Sequence, residues 1–257
     1  MPAIAPREPV EEFRALGVEA FTTTRSGGDY GLGDGDPPAA AVARWAALQA
    51  SLGPVAPRLA SARQVHGTRI LEHDAEWYGW RRFEGADGHF ALGAGIALAV
   101  TIADCVPVFV AHPQSGTVAL LHAGWRGTAG RILAKATGLM VQAGLAPADL
   151  HVHLGPAICG RCYEVGPDVF EQLTGWSTVR NRHVDLRALL AEQAKEQGIA
   201  HLSASAFCTR CDNDRFFSHR SGDVQRQVSV ILRPITSSRA ASGMEHLPDA
   251  RPRTQVP

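Results

Sequence analysis

ALGAGIALAVTIADCVPVFVA, residues 91–111, is the most apolar window of the chain, and its interpretation decides the fold. Its length approaches that of a membrane span, but Asp104, Pro107 and two glycines interrupt it. β-Branched residues dominate its second half and turn-forming residues flank it, so it reads as two buried strands, 96–102 and 106–111, joined at Asp104-Cys105. PQSG (113–116) then predicts a turn into a third strand, TVALLHA.

Outward from this centre, FTTTRS (21–26) predicts a strand running into the glycine-rich loop GGDYGLGDGD, and PAAAVARWAALQAS (38–51) a helix stopped by Gly53-Pro54. ASARQVHG and TRILEH have strand character. After Gly124 the pattern becomes helical to about residue 143, with Gly144 as the stop. HVHLG predicts a short strand. Residues 186–197 predict a helix capped by Asp185 and followed by Gly198, and LSASAF and VQRQVSVIL are closing strands. Strands and helices alternate without the regular rhythm of a doubly wound sheet. The expected fold is a mixed α/β (α+β) layered sandwich in a single domain, residues 1–233. Residues 234–257 are polar, proline-containing and aperiodic, and predict a disordered tail.

The chain has 257 residues, 45% hydrophobic and 19% charged, with 25 basic residues against 25 acidic ones. A protein that grips nucleic acid through many phosphates carries a basic surplus, so no nucleic-acid partner is expected, although a local basic patch is compatible with the balance. The segment MPAIAPREPVEEFRALG has no basic stretch followed by an apolar run. A cytoplasmic protein without a membrane partner is therefore expected. Five cysteines in such a setting argue for metal or catalytic use rather than a disulfide framework.

Three features carry chemistry: QVHG (64–67), ADC (103–105) and LHAGWRG (121–127). His66, Cys105 and His122 compose a plausible two-histidine, one-cysteine metal site, although they are 39 and 17 positions apart and spacing alone does not prove convergence. Three protein donors leave a coordination position open, the pattern of a catalytic zinc, which brings the pKa of a bound water from about 15.7 to near 7. Asp104 is a candidate partner for the ligands or a proton acceptor. In LHAGWRG, the helix start and Arg126 suit an anion such as phosphate, but the glycines could equally serve only a tight turn. A second pattern, Cys159-Gly-Arg-Cys162 with Cys208-Thr-Arg-Cys211, suggests a four-cysteine zinc. The 45 intervening residues exceed the usual ribbon spacing of about 15–20, so a redox pair or free thiols remain open.

TTRSGG (23–28), RQVHG, GADG (85–88), TIADCVPV, LHAGWRG, LGPAICGRCYEVG and CTRCDNDRFFSHR together resemble the laccase-domain family, also called polyphenol-oxidase-like or peptidoglycan-editing-factor proteins and regarded as purine nucleoside phosphorylases. The resemblance covers nearly the whole folded part. It implies zinc on His66, Cys105 and His122, a single mixed α/β sandwich, and phosphorolysis of adenosine, inosine, guanosine and methylthioadenosine, with adenosine deamination in some members. The partners implied are a purine nucleoside and phosphate. Arg126 and Arg25 are candidates for holding phosphate, and Gln64 and Asp104 for touching substrate or ligands. Copper also accepts two histidines and a cysteine, but a laccase needs a further histidine cluster that His151, His153 and His183 do not supply. Two rival readings are a hydrolase of cell-wall precursors with Cys105 as nucleophile, and a non-catalytic partner protein. The chain departs from the family at the shortened YGLGDGDPP, at Ala43-Arg44 and at Val224-Gln225-Arg226, segments expected to border the substrate pocket.

Overall fold

In the computed structural model, which describes residues 5–33, 37–74 and 76–235, the apolar window is two long strands separated by a tight turn at Asp104. In chain order the strands are β1 (Arg7–Pro9), β2 (Glu19–Thr23), β3 (Arg58–Ala62), β4 (Ile70–His73), β5 (Gly79–Phe83), β6 (Gly88–Ala91), β7 (Ile96–Ile102), β8 (Val106–His112), β9 (Thr117–Ala123), β10 (His151–Leu154), β11 (Glu164–Val165), β12 (Arg182–His183), β13 (His201–Ala204) and β14 (Gln227–Leu232). The helices are α1 (Glu11–Arg14), α2 (Ala39–Leu52), α3 (Trp125–Ala129), α4 (Ile132–Gln142), α5 (Pro167–Thr174) and α6 (Leu186–Glu196).

Among the described residues the strands form two six-stranded sheets, β1-β2-β14-β7-β3-β5 and β13-β10-β8-β9-β6-β4, with β11-β12 as a separate ribbon. Both large sheets are mixed: β3 runs parallel to β5 and β7, while β14 is antiparallel to β2 and β7. The strand alternation explains the unbroken apolar runs. Leu98, Val100 and Ile102 of β7 meet Phe109 of β8 and Val118 and Leu120 of β9 between the sheets. The intervening Ala97 and Ala99 join the cluster of Trp45 and Leu48 from α2. Val106, Val108 and Val110, with Ala119 and Leu121, face Leu133 and Met140 of α4 and Leu190 of α6. Each central strand is thus buried on both faces, as β7, β8 and β9 require of sequences with almost no polar position. The result is a helix–sheet–sheet–helix sandwich, the mixed fold expected. No helix among the described residues is long and apolar enough to cross a membrane.

The differences from expectation are local. The helix beginning after Gly124 is two helices, because Arg131 takes a left-handed conformation (φ 58°) between α3 and α4. A Cβ on Gly130 would stand 2.7 Å from Thr68 Cγ2, so the chain turns where only glycine fits against the loop after His66. QVHG is a loop rather than a strand, with His66 itself left-handed (φ 56°). FTTTRS is strand only to Thr23, then a single tight turn over Arg25–Gly27, and LSASAF is strand only to Ala204. Asp185 caps α6 as expected, its carboxylate accepting from the backbone N–H of Arg187 and Ala188. Ile235 N donates to Val55 O, so ordered pairing reaches two residues past 233. The expected tail lies, from residue 236 on, outside the described residues.

Candidate metal centre

The sandwich delivers three donors from three elements to one end of the sheets. His66 comes from the loop after β3, Cys105 from the turn between β7 and β8, and His122 from the penultimate position of β9. Their donor atoms all lie within 4.8 Å of one another. The two imidazoles meet edge to face, with centroids 4.9 Å apart. Gly124 keeps the site open: a Cβ there would sit 3.0 Å from Cys105 Sγ and 3.5 Å from the His66 ring.

A residue that sequence reasoning did not single out organises this centre. Asp87, fully buried, accepts the Nδ1–H of His122 through Oδ1 (2.9 Å) and the backbone N–H of His66 through the same oxygen (2.9 Å). Its Oδ2 accepts from Gly67 N (2.7 Å) and Val65 N (3.1 Å). One carboxylate therefore shapes the QVHG loop and, by engaging Nδ1, leaves His122 Nε2 to face Cys105. Burial opposes ionisation of Asp87, but the His122 hydrogen bond and charge and the loop N–H donors overcome it and hold the carboxyl below its ordinary range. The available signal was GADG, an acid in a glycine turn just ahead of β6, which by itself is indistinguishable from a turn residue.

Burial likewise opposes the Cys105 thiolate, yet the neighbouring His122 charge and hydrogen bonds from both histidines bring this thiol well down. His122 moves the other way, its imidazole raised by Cys105 and Asp87 against the cost of burial. A thiolate and two imidazoles in mutual reach suit a borderline-soft dication. The described residues offer no fourth protein ligand in the group, which is the catalytic pattern.

Asp104 is placed as a brace. Its backbone is left-handed (φ 89°), a conformation costing about 1–3 kcal/mol in a non-glycine residue. Both carboxylate oxygens are engaged, Oδ1 by the Thr209 hydroxyl (2.6 Å) and Oδ2 by Arg220 N (2.8 Å). Those bonds hold the turn that aims Cys105, and they leave Asp104 poorly suited to accept a proton from substrate.

A cavity of about 890 Å³ opens over the three donors. Tyr30, Leu32, Trp125 and Tyr163 give it apolar surface, and Arg126 and Arg220 give it charge. Arg126 lies over the Trp125 ring (4.3 Å) and makes no ion pair among the described residues. Arg220 lies over Tyr163 (4.7 Å) and donates to Glu164 O (2.9 Å). The lining carboxylates are already committed: Asp29 Oδ1 accepts from Gly31 N and Arg226 N. Arg126, Arg220 and Arg226 outnumber the lining carboxylates Asp29 and Asp104, so the lining is net positive and able to take an anion. Two of the three segments that depart from the family border this cavity, through Tyr30 to Gly33 on one side and Val224 and Arg226 on another, whereas Ala43 and Arg44 do not line it.

Gln64 also lines the cavity, but its amide is spent on Thr101, donating to the carbonyl (2.9 Å) and accepting from the N–H and hydroxyl (2.8 Å each). Arg25 is not among the lining residues, and its candidacy for phosphate does not hold. It pairs with both oxygens of Asp223 (3.2 and 2.6 Å), donates to Asn213 O and Phe216 O, and covers the Phe217 ring. An arginine this fully committed is structural. The hydrogen bonds from Arg25, opposed by partial burial and joined by Ser218 N and Asn213, lower Asp223 to about 2. A carboxyl depressed in the fold stabilises above its unfolded pKa and loses that contribution as pH falls through the folded value. Asp223→Asn is expected to cost about 1–2 kcal/mol at neutral pH, a deficit that shrinks between about pH 4 and pH 2, read by urea denaturation across that range.

A layered sandwich with a two-histidine, one-cysteine centre under a cationic, aromatic-lined cavity defines the class. The sequence model of the multi-copper polyphenol oxidoreductase laccase family matches residues 14–234, and the chain belongs to that family. A purine nucleoside phosphorylase of Deinococcus radiodurans is 34% identical over 248 residues, covering 90% of this chain and 95% of that one. A protein named adenosine deaminase RL5, from an unknown prokaryotic organism, is 33% identical over 232 residues, covering 79% and 88%. Among solved structures, the Bacillus licheniformis hypothetical protein YfiH superposes with a TM-score of 0.81 at 25% identity, covering 90% of this chain and 98% of that one.

Proposed function

We propose that the chain is a zinc-dependent purine nucleoside phosphorylase, converting nucleoside and phosphate to free base and ribose 1-phosphate. The observation that carries this is the cavity itself, where Arg126 and Arg220, neither in an ion pair among the described residues, and aromatic surface flank a convergent His66, Cys105 and His122. The relatives named for the same activity support it.

His66, Cys105 and His122 are the residues that would hold the ion. Zinc is favoured over copper because the described residues offer no further histidine cluster of the kind a multicopper oxidase needs. A zinc ion held there would supply Lewis-acid polarisation of a substrate atom. Arg126 and Arg220 hold the phosphate dianion and offset its charge while an oxygen forms a bond to C1′ and the C1′–N9 bond breaks. Trp125, Tyr30 and Tyr163 supply faces against which a purine can lie. Burial, reinforced by the negative charge of Cys105, raises the Tyr163 phenol to about 12, so it remains a hydrogen-bond donor to the departing base. Deamination of adenosine, in which water replaces the C6 amine and ammonia leaves, is the second activity proposed for the same cavity, supported by the relative named for it.

Incubation of the zinc-loaded protein with adenosine, with and without phosphate, tests both. Phosphate-dependent adenine and ribose 1-phosphate are expected, with inosine as the phosphate-independent product. Absence of any turnover would remove the reading. Arg126→Ala is expected to raise KM for phosphate about tenfold to a hundredfold, equivalent to roughly 1.5–3 kcal/mol for a charge-assisted contact, with zinc content unchanged. An unaltered phosphate KM would place the anion elsewhere.

A further inference from the structure

The four remaining cysteines converge about a second point. Cys159 and Cys162 sit on the loop after β10, and Cys208 and Cys211 on the loop after β13. The two loops run side by side through a parallel bridge between Ala157 and Cys208, completed by Thr209 N donating to Ala157 O (3.2 Å). That pairing cancels the long sequence separation and brings all four sulfur atoms within 4.8 Å of one another. None is in a disulfide. Around a zinc ion with Zn–S bonds of about 2.3 Å, tetrahedral sulfur atoms lie roughly 3.8 Å apart, so the cluster is already near ligating size.

The local backbone supports a thiolate at Cys208 and closes both loops into tight turns. Cys208 Sγ accepts from Cys159 N (3.2 Å) and Cys211 N (3.4 Å), so one sulfur is hydrogen-bonded from both loops. Cys162 N and Tyr163 N both donate to Cys159 O, closing the first loop into a tight turn. The second loop closes through Asp212, whose Oδ2 accepts from Cys208 N (2.9 Å). Four thiolates about a dication carry a net charge of −2, and each CxxC segment includes one residue of opposite charge, Arg161 in the first and Arg210 in the second. Arg210 also ties the loops together by donating to Cys162 O (3.2 Å).

We propose that Cys159, Cys162, Cys208 and Cys211 form a structural four-thiolate site for a zinc-like dication, separate from the His66–Cys105–His122 centre. No ligand position remains for water or substrate, so the site is structural rather than catalytic. Its role follows from what the loops touch. Thr209, between Cys208 and Cys211, holds Asp104 Oδ1, and Ile158, beside Cys159, donates to Asp104 O (3.0 Å). Tyr163, beside Cys162, lines the cavity. The ion staples together the two loops that buttress the Asp104 turn, and binding releases the thiol protons as the loops lock.

The test uses the full chain purified from zinc-supplemented medium without added reductant, with metal counted by elemental analysis. Wild type is expected to carry two zinc ions per chain and Cys105→Ala one. Cys159→Ser/Cys208→Ser is expected to keep only the ion at the histidine centre, with circular dichroism reporting its folding. If that variant does not fold, Cys105→Ala decides alone: reloaded with cobalt(II), it should show the intense bands of tetrahedral four-thiolate coordination. Cys105→Ala without metal and without such bands would overturn the proposal. So would an intact mass about two daltons low with peptide mapping that joins Cys162 to Cys211, which would show that pair held as a disulfide instead of as ligands. Neither result bears on nucleoside turnover, which is measured separately.

Discussion

His122→Ala is expected to lower kcat/KM for phosphorolysis by at least about a thousandfold, through loss of a metal ligand and of the electrostatic stabilisation that depends on it. His122 is 3% exposed at the end of a central strand and is fixed by Asp87, so no neighbouring side chain can take its place. Part of the loss could come from stability, since the substitution removes one donor from a buried carboxylate. His66→Ala separates the two effects. That imidazole is exposed, on a loop whose shape depends on backbone N–H groups rather than on the ring, so the metal-free fold should keep its melting temperature while turnover with zinc supplied falls equally far. Parallel melting curves and initial rates on the two variants make the check. Retention of more than a tenth of wild-type turnover in either would show that the centre is not where the reaction occurs.

The second large effect is expected at Asp87, which touches neither cavity nor substrate. Asp87→Asn is nearly isosteric, but it replaces one acceptor oxygen with an NH2 donor. Oδ1 now serves His122 and His66 N, and Oδ2 serves Gly67 N and Val65 N. Whichever way the amide turns, a donor faces donors, in a site with no exposure. A cost of about 2–4 kcal/mol follows for a buried network broken on one side. Zinc affinity should fall about tenfold to a hundredfold as His122 loses its orienting partner. Urea denaturation and chelator competition measure the two quantities. Stability within 0.5 kcal/mol of wild type, or unchanged zinc affinity, would show that Asp87 is not the organiser of the centre.

Much of this is legible in the sequence alone. The apolar runs of β7, β8 and β9 had to be strands buried on both faces, and α6 announced itself through Asp185 and Gly198. His66, Cys105 and His122 were legible as residue types, and the family resemblance linked them across intervals that no helical or strand period relates. What was hidden depended on tertiary pairing. QVHG carried strand-like residues, but its N–H groups are taken by Asp87 instead of a neighbouring strand. Arg25 beside a glycine turn offered a charge, with nothing nearby in sequence to reveal Asp223 as its partner. Asp104 looked available as a proton acceptor because Thr209 and Arg220 lie more than a hundred residues away. The two CxxC pairs looked too far apart for one ion because the bridge between Ala157 and Cys208 is invisible in a linear chain.

Anomalous diffraction at the zinc edge, from crystals of the protein prepared with zinc, tests most directly the convergence on which the enzymatic reading stands. A peak among the His66 imidazole, Cys105 Sγ and His122 Nε2 is the expected result. An empty position between those three side chains, in crystals where zinc is bound elsewhere on the chain, would contradict it.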